Sequence, residues 1–260
     1  MDYQYLRTAR EDRVLTLTLD RPKANAFDFT LIDELLDSLR HAGRDDQVRC
    51  VILTGAGRFF SSGQDVARIM EEGPGVPYRK HLQRTYNAIV LALRSLEVPV
   101  IGAINGPAAG AGLGIALVTD IRWAAASAQF IFGFSAIGLA ADSGISLTLP
   151  LQIGLARAGE MAFTNQPLPA EEALRWGLVT RVLPDEELMP AVRELALEIA
   201  AGATVAHALT KRAFNRAYLG NLSEVLDYEA HLQQIAGETL DHQEGLHAFL
   251  EKRKPVFQGK

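Results

Sequence analysis

An aspartate in an apolar run is the residue of this chain best placed to do chemistry. Asp142 follows Ile137-Gly138-Leu139-Ala140-Ala141 and precedes Ser143-Gly144. An ionisable group in such surroundings is either paired or put to use. Upstream lie two glycine-bearing turns, Phe59-Phe60-Ser61-Ser62-Gly63-Gln64-Asp65 and Asn105-Gly106-Pro107-Ala108-Ala109-Gly110-Ala111-Gly112. Glycine lets the chain turn sharply and leaves neighbouring N–H groups outside any ladder. The second turn also opens a helix, whose N-terminal dipole favours developing negative charge. Two such donors converging on one carbonyl oxygen form an oxyanion hole, and a lone carboxylate can move a proton beside it. The competing reading of Asp142 is a helix cap for the segment starting at Ser143.

Those residues need a scaffold, and the pattern indicates an α/β one. Val14 to Leu19 alternates with period two and reads as a half-buried strand. Thr30 precedes an apolar face at Leu31, Ile32, Leu35, Leu36 and Leu39, with Asp33 completing a capping-box-like start. Cys50 to Leu53 and Val98 to Ile104 read as buried strands, with one helix from Tyr78 to Leu96 between them. A short helix over Leu113 to Val118 and a strand over Asp120 to Ala124 follow. This β-β-α alternation indicates layered sheets. The last third reads as helices at Ala170 to Trp176, Glu186 to Ala201, Val205 to Ala217, Ser223 to Gly237 and Asp241 to Arg253. Gly73 to Pro77 reads as a mobile loop.

Composition narrows the function. The 260 residues are 48% hydrophobic and 22% charged, as in an ordinary soluble globule. A net charge of -5 argues against nucleic acid or an anionic membrane as partner. One cysteine, Cys50, excludes an internal disulfide, fits a reducing cytoplasm and reads as core. No secretory signal and no apolar run of transmembrane length is legible, so a soluble, cytoplasmic protein is expected. Asp65 reads as a pin for the first turn. His81, His207, His231, His242 and His247 read as surface residues, and His41 as the end of a helix. No pair of histidines has metal-ligand spacing with a carboxylate, so no metal site is expected.

Five segments occur in the order and spacing of the crotonase superfamily (enoyl-CoA hydratase/isomerase). They are Arg21 to Phe27, Phe60 to Asp65, Pro99 to Gly106, Ala109 to Gly112 and Ala173 to Val179. The chain resembles that family over essentially its whole length, down to Glu244 to Arg253. The resemblance implies a spiral of ββα units over residues 1–201 and a helical oligomerisation region over 202–260. It further implies an acyl-CoA thioester substrate, a homotrimer or dimer of trimers, and no cofactor beyond the coenzyme A carried by the substrate. The family's oxyanion donors map onto the N–H groups of Gln64 and Ala111, with Asp65 and Val66 beside them. Ala24 and Ala26 would contact the adenine end through backbone atoms. Phe249 and Lys252 lie on a helix end that would meet the coenzyme A of a neighbouring subunit, the alternative being a solvated C-terminus. Leu222, Val225, Leu226, Leu232 and Ile235 would face other subunits.

The departures from the family narrow the chemistry further. Hydratases of this family carry two glutamates, at positions held here by Gly114 and Phe134, so hydration is expected to be feeble. Restoring glutamate at both sites is expected to raise it somewhat. Dienoyl-CoA isomerases keep acids at 114, 134 and 142, of which Asp142 alone remains. The chain most resembles the branch that isomerises the ring-epoxide CoA thioester of aerobic phenylacetate degradation and shifts enoyl-CoA double bonds. Phe134, Phe132 and Ile137 either form an apolar wall that raises the Asp142 pKa or are core aromatics and aliphatics. Two other readings compete: a non-catalytic acyl-CoA-binding protein, and a hydrolase or dehalogenase using Asp142 as nucleophile. The dehalogenase branch uses a histidine and two tryptophans where this chain has Asn87, Tyr86 and Phe134, which disfavours it.

Overall fold

Strand β3 (Cys50–Gly55) is buried along its whole length, because both of its faces are covered. Alternate side chains point to opposite faces. Val51 and Leu53 join the larger core, whereas Cys50 and Ile52 join a smaller one. Burial pushes the Cys50 thiol up to about 12, so this cysteine is core, as its setting suggests. The computed structural model describes residues 3–67 and 76–260.

Six strands form the main sheet in the order β1 (Leu6–Glu11), β2 (Val14–Leu19), β3, β4 (Val100–Ile104), β6 (Ile121–Ala125), β9 (Arg181–Leu183). The β1–β2 pair is antiparallel and every other neighbour is parallel. A smaller sheet joins β5 (Ala108–Ala109), β7 (Gln129–Ile131) and β8 (Leu168–Pro169). Helix α8 (Asp185–Ala201) covers one face of the main sheet through Leu188, Val192, Ala196 and Ala200, spaced four residues apart. The other face carries α1 (Phe29–Ala42), α3 (Tyr86–Ser95) and the larger core. The α/β architecture expected from the strand and helix pattern is the one observed.

Several boundaries differ from the sequence expectation, each for a local reason. Strand β1 has one buried residue, Leu6, so it carries no alternation to betray it; its pairing with β2 makes it a strand. Helix α1 begins at Phe29, capped by Asp28, whose carboxylate accepts from the Leu31 N–H at 2.9 Å; Thr30 lies inside the helix. The single helix expected from 78 to 96 is two, α2 (Tyr78–Arg84) and α3, broken at Thr85 (φ −113, ψ −96). The Thr85 hydroxyl takes the His81 carbonyl at 2.8 Å. Helices α5 (Ile145–Ile153) and α6 (Leu155–Thr164) had no legible signal, since Pro150 and continuous apolarity mask the period of the first. Residues 73–75 of the expected loop lie outside the described residues.

The C-terminal helices match expectation closely: α7 (Ala170–Trp176), α8, α9 (Thr204–Tyr218), α10 (Leu222–Gly237) and α11 (Leu240–Leu250). No helix among the described residues is long and apolar enough to cross a membrane. Leu222 and Leu226 are covered by their own chain rather than left for another subunit. Helix α11 seats on the short turn at Ser135–Ile137. A Cβ at Gly245 would lie 2.6 Å from the Ile137 backbone, so only glycine permits that approach.

Candidate active site

The first turn is held by backbone that a sequence rarely adopts. Lys23, Ala24 and Asn25 all lie in the left-handed region (φ 64, 69 and 53), which costs energy for residues with side chains. Asn25 offsets that cost by tying the segment down. Its amide donates to the carbonyls of Ala56 at 3.0 Å and Phe59 at 2.8 Å, and its Oδ1 accepts from the Arg21 N–H at 3.1 Å. Arg21 then bridges Asp28 at 2.9 Å and Asp65 at 2.7 Å. Asp65 is therefore the pin that its position suggests.

The two glycine turns converge. The Ala109 N–H donates to the Ser61 carbonyl at 2.9 Å, and the Ser61 N–H to the Pro107 carbonyl at 3.2 Å. Phe27 bridges the first turn from either side of Gln64, donating to the Gly63 carbonyl at 2.7 Å and accepting from the Asp65 N–H at 3.0 Å. The Gln64 N–H lies between those two bonds and takes part in neither. Gly63 has φ +84, and a Cβ there would lie 2.7 Å from the Ala109 carbonyl and 3.3 Å from the Ala111 nitrogen. Ala111 is the first residue of α4 (Ala111–Leu117). Among the described residues, neither the Gln64 nor the Ala111 N–H finds a protein acceptor.

A cavity of about 490 Å³ joins these turns to Asp142. Asp142 is 5% exposed. The Ser143 hydroxyl donates to its Oδ1 at 2.6 Å, and the Gln233 amide to its Oδ2 at 2.8 Å. Burial pushes its pKa up to about 7; the two donors pull it down and the nearby Glu229 carboxylate pushes it up. The cap reading does not hold, because the Asp142 carboxylate accepts from Ser143 and Gln233 while the first turn of α5 is capped by Glu229, which accepts from the Ser146 N–H. Gly114, one of the two family acid positions, is buried out of the cavity. A Cβ there would lie 2.4 Å from the Ser143 Cβ, so the loop carrying Asp142 fills the space a glutamate would need. Restoring that glutamate cannot succeed as expected from sequence.

Gln64, Asp65, Val66, Ala111, Phe134, Ile137, Ala26 and Phe249, each expected at the site, line the same cavity as Asp142. Phe132 stands behind Phe134, edge to face at 5.1 Å, and does not line it. Ala24 does not reach the cavity, because its left-handed turn presents Lys23 there instead. Lys252 is likewise absent from the wall, since it follows the end of α11 and is exposed. Phe249, expected either to meet a neighbouring subunit's coenzyme A or to lie in a solvated C-terminus, lines the cavity of its own chain and is 57% exposed.

Several polar lining residues escaped the sequence reading of the site, among them His81, Tyr78, Tyr86 and His242. His81 and His242, expected at the surface, both line the cavity, and His242 is fully covered. Burial pushes His81 down to about 4, so it is neutral, and its Nε2 lies 3.1 Å from Gln64 Oε1. The Tyr86 hydroxyl donates to that same oxygen. Gln64 Nε2 donates to the Phe27 carbonyl at 3.3 Å, which orients the amide to receive both. His242 Nδ1 donates to the Ile137 carbonyl at 2.7 Å, leaving Nε2 to accept from the Tyr78 hydroxyl at 2.6 Å. Burial lowers the His242 pKa as well. Asn87 is buried away from the cavity with its amide on the Leu226 carbonyl at 3.1 Å. The signal that existed was local: His81 and Tyr86 flank the break at Thr85, and each shares a face with Tyr78 or Gln64 only once the chain has folded.

Comparison with known proteins agrees with this geometry. The enoyl-CoA hydratase/isomerase family model matches residues 9–260. The chain is 41% identical to the 1,2-epoxyphenylacetyl-CoA isomerase of Escherichia coli K12, covering 99% of each chain. It is 39% identical to a probable enoyl-CoA hydratase of Rhodobacter capsulatus, covering 100% of each. The crystal structure of an enoyl-CoA hydratase from Mycobacterium avium subsp. paratuberculosis superposes with a TM-score of 0.88 at 35% identity, covering 99% of this chain and 100% of that one. The chain belongs to the enoyl-CoA hydratase/isomerase family and has its crotonase fold.

Proposed function

We propose that this member of the enoyl-CoA hydratase/isomerase family is an acyl-CoA isomerase with one acid/base group, Asp142. The thioester carbonyl oxygen sits between the N–H groups of Gln64 and Ala111. Asp142 takes a proton from C2 of a 3-enoyl thioester, and the C–H electron pair moves into an enolate whose charge those amides stabilise. The same carboxyl returns the proton to C4, giving the 2-enoyl thioester. No atoms are gained or lost, so no cofactor or metal is needed. A ring-epoxide thioester fits the same balance, and the similarity to 1,2-epoxyphenylacetyl-CoA isomerase supports it as the physiological acyl class.

The observation that carries this reading is the set of acids on the cavity wall. Among the described residues they are Asp65, ion-paired to Arg21, and Asp142, buried with its pKa raised to about 7. Hydration by two acids has no support here, because Gly114 has no room for a side chain and Phe134 is apolar. The test is Asp142→Asn, with turnover of a 3-enoyl-CoA and acyl-CoA affinity measured on one folded preparation. Turnover falls by about 10² to 10⁴ with affinity nearly unchanged; full activity in the folded variant ends the single-base assignment. Crotonyl-CoA is hydrated barely at all, and rapid hydration counts against the same reading. Self-association into trimers is proposed through α9, which leaves Val205, Leu209, Phe214 and Tyr218 exposed. A stable monomer in sedimentation at micromolar concentration excludes it.

A further inference from the structure

Helix α10 carries two polar side chains, Glu229 and Gln233, that are 2% and 1% exposed. They are four residues apart, so both face the same way, toward the loop that holds Asp142. Gln233 spans the loop before and at the acid: its Oε1 accepts from the Ala140 N–H at 3.0 Å while its Nε2 donates to Asp142 Oδ2 at 2.8 Å. Glu229 holds the loop after it, accepting from the Gly144 N–H at 2.8 Å and the Ser146 N–H at 2.9 Å, and from the Ser146 hydroxyl. Burial pushes the Glu229 pKa up, and these three donors pull it back down by favouring the charged form. Gln233 reaches the cavity wall and Glu229 lies behind it; neither is needed to pack the helix, since a leucine would bury there at lower cost.

We infer that Glu229 and Gln233 are positioning residues for the isomerisation, clamping residues 140–146 from both sides so that Asp142 meets the cavity in one orientation and one proton affinity. This deepens the assignment of Asp142 as the base and rests on it. The two residues act on that affinity in opposite senses. The Gln233 amide stabilises the carboxylate, so its removal favours protonated Asp142. The Glu229 charge opposes the carboxylate, so its removal favours ionised Asp142. Among the described residues, the other titratable groups around the cavity are Tyr86 from α3, Tyr78 and His81 from α2, His242 from α11, Lys23 and the paired Asp65. Tyr86 is held well above its usual range by burial first and by Asp142 next, and the two histidines are lowered by burial. None of them hydrogen-bonds Asp142, whose side-chain partners are Ser143 and Gln233, with the Glu229 carboxylate as the nearby charge.

The experiment is a pH profile of kcat and KM for a 3-enoyl-CoA with the full-length protein, comparing wild type, Gln233→Met, Glu229→Gln and Asp142→Asn. A base must be ionised, so activity rises with pH along the acidic limb. Gln233→Met moves that limb to higher pH and Glu229→Gln moves it to lower pH, with KM nearly constant because the amides of Gln64 and Ala111 hold the thioester. Below the limb, each unit of displacement reads as about a tenfold change in rate. A merely structural role changes melting and the amount of active protein but leaves both limbs in place. If Gln233→Met does not fold, Gln233→Glu keeps the acceptor for Ala140 and places a charge beside Asp142, moving the limb upward as well. Unmoved limbs alongside an inactive Asp142→Asn protein overturn this inference alone. An active Asp142→Asn protein overturns the base assignment and this inference together.

Discussion

The two sides of the cavity are built by opposite means. One side is main chain: two turns, one near residue 63 and one near 110, laced by backbone hydrogen bonds and aimed by Gly63. It offers two N–H groups, and the charges it buries, Arg21 with Asp28 and Asp65, are paired with one another. The other side is a carboxyl, Asp142, buried in apolar surroundings and held by side chains from a helix 91 residues further along the chain. The first side is stiff because its groups are already satisfied or need only a ligand oxygen. The second is energetically costly, because an ionised carboxyl loses its hydration there. The contrast teaches where a fold stores catalytic potential: donors for a developing charge come at little cost from backbone, whereas a base of useful strength must be destabilised.

The comparison can be broken at the pin of the main-chain side. Arg21→Met leaves Asp28 and Asp65 without their shared cation in a mostly buried setting, so stability falls by about 3–5 kcal/mol. Denaturant unfolding measures it, and a loss below about 1 kcal/mol shows that the turn holds itself.

Next comes the glycine that brings the turns together. Gly63→Val places a Cβ 2.7 Å from the Ala109 carbonyl, in a backbone conformation valine resists. Isomerisation falls by about 10² to 10³, as for the loss of an oxyanion donor. Near-normal turnover in the folded variant removes the Ala111 N–H from the mechanism.

The carboxyl side predicts a gain rather than a loss. Asp142 has its pKa raised from 3.8 to about 7. Below pH 3.8 both folded and unfolded chains keep the proton and the residue is neutral to stability. Between pH 3.8 and about 7 the unfolded chain releases the proton first, so stability falls as pH rises and the loss is complete above about 7. Asp142→Asn removes that penalty, so at pH 8 it is more stable than wild type by about 4 kcal/mol, with the difference vanishing near pH 4. Melting temperatures at the two pH values decide; a less stable variant at pH 8 means that the carboxyl is there for structure.

The smallest effect belongs to the outer wall. Phe249 is 57% exposed, so Phe249→Ala changes stability by less than about 0.5 kcal/mol. Because it lines the cavity, KM for acyl-CoA rises a few-fold while kcat holds. An unchanged KM places Phe249 outside the bound substrate's reach.

What was legible in the sequence was local. The five C-terminal helices are read from apolar spacing to within a few residues, because helix hydrogen bonds and side-chain faces repeat over four residues. The two glycine turns and the oddity of Asp142 are legible for the same reason: glycine in a turn and an acid in an apolar run are anomalies that neighbours reveal. Helix α5 and strand β1 were not legible, one hidden by Pro150 and uniform apolarity, the other by having a single buried residue. Only tertiary structure decided that His81 and His242 face the cavity, that Ser143 fills the space beside Gly114, and that Gln233 and Glu229 grip the acid's loop. Each of these is a contact between segments distant in the chain, set by how faces pack against one another. Periodicity reports which face of an element is buried, but which partner meets that face is fixed by the packing of the whole sheet and its helices.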